Sequence, residues 1–190
     1  MPSKILAFAG SLRKDSFNKK LARLAAEGAK KAGAQVTYLD LKEYPLPLFD
    51  QDIEDQGPPE NLVKLRKMFH DHQGFLISSP EYNSSFSAVL KNTLDWLSRE
   101  PATEDGLEPL EGKVVALYGA SPGAFGAIRG LQQIRNVIQN LNMLVVPGPV
   151  LVPKAAEAFD ENGALKNPKQ AAAVDKLAAS LVQYVGKLSS

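Results

Sequence analysis

The chain has 190 residues, no cysteine, and 22 basic against 21 acidic side chains, which gives a net charge of +1. The length fits one domain, residues 1–190, and the lack of cysteine excludes disulfides, iron–sulfur clusters, zinc thiolates and thiol nucleophiles. The balanced charge argues against nucleic-acid binding through bulk charge, and the apolar runs are too short for a signal peptide or a membrane span, so we expect a cytoplasmic protein.

Short apolar runs that suit buried strands alternate with segments of helical spacing. The five predicted strands are 4–9, 36–39, 75–78, 114–118 and 143–146. Apolar side chains recur at helical spacing over 21–32, 62–69, 86–97 and 134–141, and a last helix begins at Pro168 after the cap residue Asn167. This alternation predicts right-handed crossovers and a parallel sheet that is covered by helices on both faces.

Two connecting segments, 41–59 and 100–112, are longer than is usual and contain proline. Segment 100–112 is acidic, and we expect it to be a solvated surface loop. The part of the first segment over 41–49 is apolar, which favours burial against a ligand or another protomer.

A polar loop, Gly10-Ser-Leu-Arg-Lys-Asp-Ser-Phe-Asn18, joins the first predicted strand to the first helix. A helix amino terminus presents free backbone N–H groups, and here Ser11, Ser16 and Asn18 add neutral donors while Arg13 adds a charged one. These donors suit a phosphate monoester. The alternative is that Ser16 only caps the helix and that Arg13 points into solvent.

Other phosphate motifs do not match this loop. A P-loop requires Gly-Lys followed by Ser or Thr; Lys14 is followed by Asp15, and neither Gly-Lys pair of the chain, at 112–113 and 186–187, has Ser or Thr after it, so a P-loop is excluded. The dinucleotide fingerprint Gly-x-Gly-x-x-Gly does not follow the first strand either.

The segment Gly119-Ala-Ser-Pro-Gly123 matches the nucleophile elbow of serine hydrolases, but two observations argue against that function. Pro122 has no N–H group to donate to an oxyanion hole, and both histidines precede Ser121, the reverse of the order in that fold. His70 and His72 are two residues apart on a predicted helix and cannot converge on a metal, so we expect solvent-exposed helix residues and no metal site.

A second polar loop, Pro80-Glu-Tyr-Asn83, follows the third predicted strand. If the first and third strands are parallel neighbours, both loops line one crevice at their carboxyl ends, where open α/β sheets bind ligands. Tyr82 supplies an aromatic face and the loop's polar groups suit the edge of a flat ring system. The alternative is a structural turn formed by Pro80 and Asn83.

Several of these motifs, in this order, resemble the NADPH-dependent FMN reductases, a flavodoxin-like family that includes chromate, azo-dye and quinone reductases. The resemblance covers about residues 4–150. It rests on the segments Gly-Ser-Leu-Arg-Lys-Asp-Ser-Phe-Asn at 10–18, Pro-Leu-Pro-Leu-Phe-Asp at 45–50, Pro-Glu-Tyr-Asn at 80–83, Leu-Lys-Asn-Thr-Leu-Asp-Trp-Leu-Ser-Arg at 90–99 and Ser-Pro-Gly at 121–123, followed by Arg129 and Arg135.

The resemblance implies a flavodoxin-like α/β three-layer sandwich with a five-stranded parallel sheet in the order 2-1-3-4-5, and FMN as cofactor. It assigns three sets of FMN-binding residues: Ser11, Arg13, Ser16, Phe17 and Asn18 at the phosphate, Pro80, Glu81, Tyr82 and Asn83 along the isoalloxazine, and Ser121 and Gly123 beside the flavin. Ser84 stands where the family often has Gly or Tyr, and Ser87-Ala88 where it often has Pro-Gly.

The implied activity is hydride transfer from NADPH or NADH through FMN to quinones, azo compounds, metal ions or free flavin. The flavin carries the chemistry, so no catalytic side chain is expected. The main alternative is a flavodoxin-like electron carrier that does not itself oxidise NAD(P)H, and a third possibility is a scaffold that binds no flavin. The resemblance also implies a homodimer or homotetramer through the helix at 86–97, although core packing alone would explain its apolar surface.

Overall fold

A parallel sheet of six strands forms the centre of the molecule, for which a computed structural model describes residues 2–99 and 106–188. The strands are β1 (Lys4–Ala9), β2 (Gln35–Leu39), β3 (Gly74–Ser78), β4 (Val114–Ala120), β5 (Leu144–Val145) and β6 (Val150–Val152). Their order is β2-β1-β3-β4-β5, and β6 also pairs with β4. The predicted strand order is therefore confirmed.

The fifth strand position is divided between two short strands, where the sequence predicts a single strand over 143–146. β5 pairs with the start of β4 and β6 pairs with its end. Pro147 and Pro149 separate the two strands, and Gly148 between them has a φ of 79°. Proline lacks the N–H group that a ladder needs, so it interrupts the strand at the edge of the sheet.

Helices cover both faces of the sheet, as predicted. They are α1 (Phe17–Lys31), α2 (Gln51–Glu54), α3 (Glu60–Asp71), α4 (Ala88–Leu97), α5 (Ile128–Asn140), α6 (Ala155–Ala158) and α7 (Pro168–Leu188). Alternate β1 side chains point to opposite faces: Ile5 packs with α1 and α7, whereas Leu6 packs with α3, α4 and α5. None of the helices described is long and apolar enough to cross a bilayer.

The segment after β2 packs against its own chain. Trp96 Nε1 and Asn92 Nδ2 of α4 each donate to the Pro47 carbonyl at 2.8 Å, and Phe49 N donates to Asn92 Oδ1 at 2.8 Å. The Phe49 ring meets the Trp96 ring edge-on at 5.0 Å. Packing within the chain therefore accounts for part of this apolar segment, and burial against a ligand or a second protomer stays a prediction for its exposed residues, among them Leu48, which is 77% exposed.

The described part of segment 100–112 is not the solvated loop that its acidic composition predicts. Gly106 is buried, and Leu110 is fully buried in the core on the α3, α4 and α5 side of the sheet. Arg66 Nη1 donates to the Gly106 carbonyl at 3.3 Å and fixes this segment to α3. The expectation is therefore wrong for these residues, while 100–105 lie outside the described part of the chain.

The two histidines lie in different environments at the carboxyl end of α3. His70 is exposed, as predicted, but His72 is only 7% exposed, so the prediction is wrong for His72. His72 Nδ1 donates to the Met68 carbonyl at 2.6 Å, which leaves Nε2 to accept from Thr37 Oγ1 at 2.8 Å. Helical spacing could not reveal this contact, because Thr37 belongs to the distant strand β2. Burial lowers the pKa of His72, although the bond to Met68 opposes the shift.

The lowered pKa of His72 predicts that acid destabilises the fold. As the pH falls below the ordinary histidine value of 6.5, the unfolded chain binds a proton that folded His72 does not yet bind, so the free energy of unfolding decreases until the folded pKa is passed. We expect His72→Gln to reduce this dependence. Urea unfolding at pH 7.5 and pH 5 measures it for both proteins. An equal loss of stability in wild type and variant would contradict the assignment.

Candidate functional site

Three loops meet at the carboxyl edge of the sheet, after β1, β3 and β4. These strands are neighbours, and backbone hydrogen bonds of 2.9 Å from Gly10 N to Ser78 O and from Ser79 N to Tyr118 O continue their pairing. The chain order reverses between β1 and β3, and in open α/β sheets such a switch point opens a crevice for a ligand. The first and second loops follow two neighbouring parallel strands and lie side by side at this edge, as the sequence predicts.

The first loop offers hydrogen-bond donors at the start of α1. Ser11 and Ser16 are buried, and their Oγ atoms accept from Arg13 N and Lys19 N, both at 3.4 Å. Because each hydroxyl oxygen accepts, its hydrogen remains able to donate to an anion. The first N–H groups of a helix add partial positive charge at the same place.

The alternative explanation of this loop requires a serine that caps the helix and an arginine that points into solvent, and the structure has both. Ser16 is the N-cap of α1, and the Arg13 side chain is exposed, with Nη2 at 3.5 Å from the Asp15 carbonyl. That contact is long and uses one of five guanidinium hydrogens. Capping therefore coexists with a donor set that suits phosphate.

Asn18 and Phe17 direct their side chains into the protein. Asn18 Nδ2 donates to the Ala120 carbonyl, and Asn18 Oδ1 accepts from Ala120 N and Ser78 Oγ, all at 2.9 Å. The Phe17 ring stacks on Phe159 with centroids 6.0 Å apart. The Asn18 amide therefore joins α1 to the ends of β3 and β4.

The second loop forms a tight two-residue turn. Tyr82 and Ser85 exchange backbone hydrogen bonds of 2.8 and 3.0 Å, and the residues between them, Asn83 and Ser84, have φ values of 49° and 64°. Positive φ at both central positions is typical of a type I′ turn. Asn83 is thus a turn residue, as the structural alternative proposes. The turn exposes 53% of Tyr82 at the rim of the crevice.

Glu81 ties the second loop to the start of α5, a role that the sequence does not reveal. Its Oε1 accepts from Arg129 Nη2 at 2.7 Å and its Oε2 accepts from Gly130 N at 3.1 Å. A Cβ atom at position 130 would lie 3.1 Å from the Ser85 carbonyl oxygen, so the helix approaches the turn closely because it has glycine there. Glycine inside an amphipathic helix is the only signal that could have indicated this contact.

Ser87 links the first and second loops. It is the N-cap of α4, and its Oγ donates to the Gly10 carbonyl at 2.6 Å. A Cβ atom at Gly10 would lie 2.9 Å from this Oγ, so the two loops touch at a residue without a side chain. The departure from the family's Pro-Gly pattern thus provides a helix cap and a contact between the loops.

The third loop is fastened to β6 and the residues after it. Ser121 N donates to the Val152 carbonyl at 3.2 Å, and Lys154 N donates to the Gly123 carbonyl at 3.0 Å. Ser121 is half-buried and Gly123 is exposed at the carboxyl edge, where Phe125 exposes 62% of its surface. Both histidines of the chain precede β3, at the opposite edge of the sheet, which agrees with the rejection of Ser121 as a hydrolase nucleophile.

The fold defines a flavodoxin-like protein, with hydrogen-bond donors after β1 and an exposed turn after β3. The family model for NADPH-dependent FMN reductase matches residues 3–157, and the chain belongs to this family. It is accordingly an oxidoreductase that uses FMN as cofactor and NAD(P)H as co-substrate, and this supports the reductase interpretation over the electron carrier.

Individual relatives agree with this assignment. An NAD(P)H-dependent FMN reductase of Pseudomonas aeruginosa is 32% identical and covers 97% of this chain and 96% of its own. A 2-hydroxy-1,4-benzoquinone reductase of a Burkholderia species is 37% identical, and the match covers 86% of this chain and 85% of that protein. The solved structure of the flavoenzyme NAD(P)H:(acceptor) oxidoreductase of Paracoccus denitrificans has a TM-score of 0.82 and 26% identity over 97% of this chain and 98% of its own.

The three bonds of the Asn18 amide predict a large loss of stability when that side chain is removed. Asn18→Ala leaves the polar groups of Ala120 and Ser78 buried without these partners, and we expect about 3 kcal/mol less unfolding free energy. Asn136→Ala, at an exposed position of α5, is the control and should change stability by less than about 0.5 kcal/mol. Chemical denaturation measures both, and equal effects would contradict the role assigned to Asn18.

Proposed function

We propose that this single domain of residues 1–190 holds FMN in the crevice between the three loops and passes electrons from NAD(P)H to planar acceptors, chiefly quinones. The observation that supports it most directly is the pairing of phosphate donors after β1 with an exposed aromatic turn after β3, at one edge of the sheet. The proposed FMN-binding residues are Ser11, Arg13, Ser16, Phe17 and Asn18 in the first loop, Pro80, Glu81, Tyr82 and Asn83 in the second, and Ser121 and Gly123 in the third.

The first loop fits the FMN phosphate by the chemistry of its donors. The hydroxyls of Ser11 and Ser16 are buried and oriented, the N–H groups of Phe17 and Asn18 begin α1, and Arg13 supplies a charged donor from the solvent side. Each charge-assisted hydrogen bond contributes on the order of 1.5 to 3 kcal/mol, so a few of them suffice to anchor a dianion.

The second and third loops fit the flavin ring. The Tyr82–Ser85 turn is fixed by its own two hydrogen bonds and by Gln133 of α5, whose Nε2 donates to the Ser84 carbonyl at 2.8 Å. A rigid turn can orient a ring without moving when the ring binds. When bound, FMN supplies the hydride chemistry, and the chain's residues hold the cofactor and admit its two substrates.

Quinones are the proposed acceptors because the names of related proteins specify quinones, and because Tyr82 and Phe125 leave apolar surface exposed at the crevice. Azo compounds, metal ions and free flavin are further candidates. Comparing the rates at which quinones, azo compounds, metal ions and free flavin are reduced under one set of conditions tests the preference for quinones. If no quinone is reduced faster than these other acceptors, the proposed preference is contradicted.

We also propose that the protein assembles as a homodimer or homotetramer and acts in the cytoplasm, where NAD(P)H is available. Leu48 supports assembly. Asn92 and Trp96 donate hydrogen bonds to the carbonyl of the preceding residue, Pro47, and thereby hold Leu48 on the surface with 77% of its area exposed. Sedimentation velocity of wild type and Leu48→Lys tests the assembly, and a monomeric wild type would contradict it. Cell fractionation tests the location.

The function predicts a bound flavin that NADPH reduces. Purified protein with one equivalent of FMN should lose its visible absorbance on anaerobic addition of NADPH and regain it on addition of a quinone. Absorbance spectroscopy measures both steps. Reduction by dithionite but not by NADPH would identify an electron carrier, and failure to bind FMN would identify a protein that uses the fold without flavin.

The phosphate assignment predicts that Arg13→Ala weakens FMN binding about 10-fold, since it removes one charge-assisted bond. Fluorescence quenching of FMN on titration with the apoprotein measures the dissociation constant. Arg135→Ala, which removes the same charge from an exposed position on α5, is the control and should bind FMN as the wild type does. Equal affinities of wild type and Arg13→Ala would remove Arg13 from the site.

A further inference from the structure

Arg129, in the first turn of α5, is held in one position but remains open to solvent. Its Nε and Nη2 donate to Glu81 Oε1 at 2.9 and 2.7 Å, and its guanidinium carbon lies 5.2 Å from the centre of the Phe125 ring. The Glu81 side chain is 8% exposed, whereas the Arg129 side chain is 53% exposed. A guanidinium that is fixed on one edge and stacked on a ring presents its other edge, with the Nη1 donors, to solvent.

The ion pair is not needed to attach the second loop to α5. Glu81 Oε2 already accepts from Gly130 N at 3.1 Å, and Gln133 bonds both the Ser84 carbonyl and the Ser85 hydroxyl, at 2.8 and 2.6 Å. An exposed arginine that only added to these contacts would contribute little. Its position therefore calls for a second explanation.

Arg129 lies where the proposed acceptor would bind. Glu81, its anchor, directly precedes Tyr82 in the second loop, and Phe125, its stacking partner, belongs to the third loop. The start of α5 adds little further positive potential, because the Glu81 carboxylate already accepts from Gly130 N in its first turn. The positive group exposed at this corner is therefore the Arg129 guanidinium.

We propose that Arg129 is a specificity-determining residue that binds the negative oxygen of anionic planar acceptors, the chemical class of hydroxyquinones. An ionised hydroxyquinone carries its negative oxygen next to a carbonyl oxygen, and two N–H donors of one guanidinium can meet such a pair together. Stacking on Phe125 and the bond to Glu81 hold the donors in place before the acceptor arrives, which lowers the entropy cost of binding. The inference rests on the proposed function, because it concerns the acceptor of that reaction.

The overall reaction is the reduction of the quinone to its hydroquinone by NAD(P)H and one proton, with NAD(P)⁺ as the second product. Arg129 neither gives nor takes a proton in it, since arginine stays protonated. Its effect is therefore expected in the preference between acceptors of equal shape and different charge.

The test compares 2-hydroxy-1,4-naphthoquinone, which is an anion at neutral pH, with neutral 2-methoxy-1,4-naphthoquinone. We expect Arg129→Gln to lower the ratio of their kcat/KM values about 10-fold, and Arg129→Lys to retain part of the preference. Arg135→Gln, an exposed charge further along α5, should leave the ratio as in wild type. In wild type the ratio should fall with added salt, which needs no variant.

Three results would overturn the proposal, and they are distinguishable. If Arg129→Gln leaves the ratio unchanged, Arg129 is only a structural ion pair. If it raises the KM for NADPH by the same factor with both quinones, Arg129 binds a phosphate of the nucleotide. If wild type reduces neither quinone although NADPH reduces its flavin, quinones are not the acceptors and the proposed function fails with the inference.

Discussion

The crevice depends on one buried side-chain amide, which holds the ends of three elements at a fixed distance. Asn18 bonds Ala120 at the end of β4 and Ser78 at the end of β3 from the first turn of α1. The first loop must therefore end where the second and third loops begin. Two further hydrogen bonds extend this arrangement. Ser87 Oγ donates to the Gly10 carbonyl and joins the start of α4 to the first loop, and Glu81 Oε2 accepts from Gly130 N and joins the second loop to α5. The positions of the first-loop donors, the turn and Arg129 all follow from these contacts between loops.

The motifs that carry the family resemblance divide into two physical groups. Those at 10–18, 80–83 and 121–123 form the crevice. The segments 45–50 and 90–99 instead pack on each other, because Asn92 and Trp96 donate to the Pro47 carbonyl and Phe49 N donates to Asn92 Oδ1. This packing supports α4, whose first turn adjoins the first loop through Ser87. These two motifs therefore stabilise the α4 side of the proposed site through contacts within the chain.

Local patterns, namely apolar runs and the polar residues that follow them, predicted the strands and the first two loops, whereas the strand order and the role of the third loop were implied by the family resemblance. The sequence could not predict contacts between residues far apart in the chain. His72 is buried because Thr37 reaches it, and Leu110 is buried because Arg66 and the core hold its segment. Asn18 illustrates both cases: its place in the first loop was evident, whereas its side-chain bonds to Ala120 were not. The fifth strand was divided by Pro147 and Pro149, although the apolar residues before them predicted one continuous strand.

The central claim is that one crevice, between the loops after β1, β3 and β4, holds FMN. A crystal structure of the protein soaked with FMN tests it most directly. The account predicts phosphate density within hydrogen-bond distance of Ser11 and Ser16 and ring density against the Tyr82–Ser85 turn. Flavin bound elsewhere, or a crevice that stays empty at saturating FMN, would contradict the account.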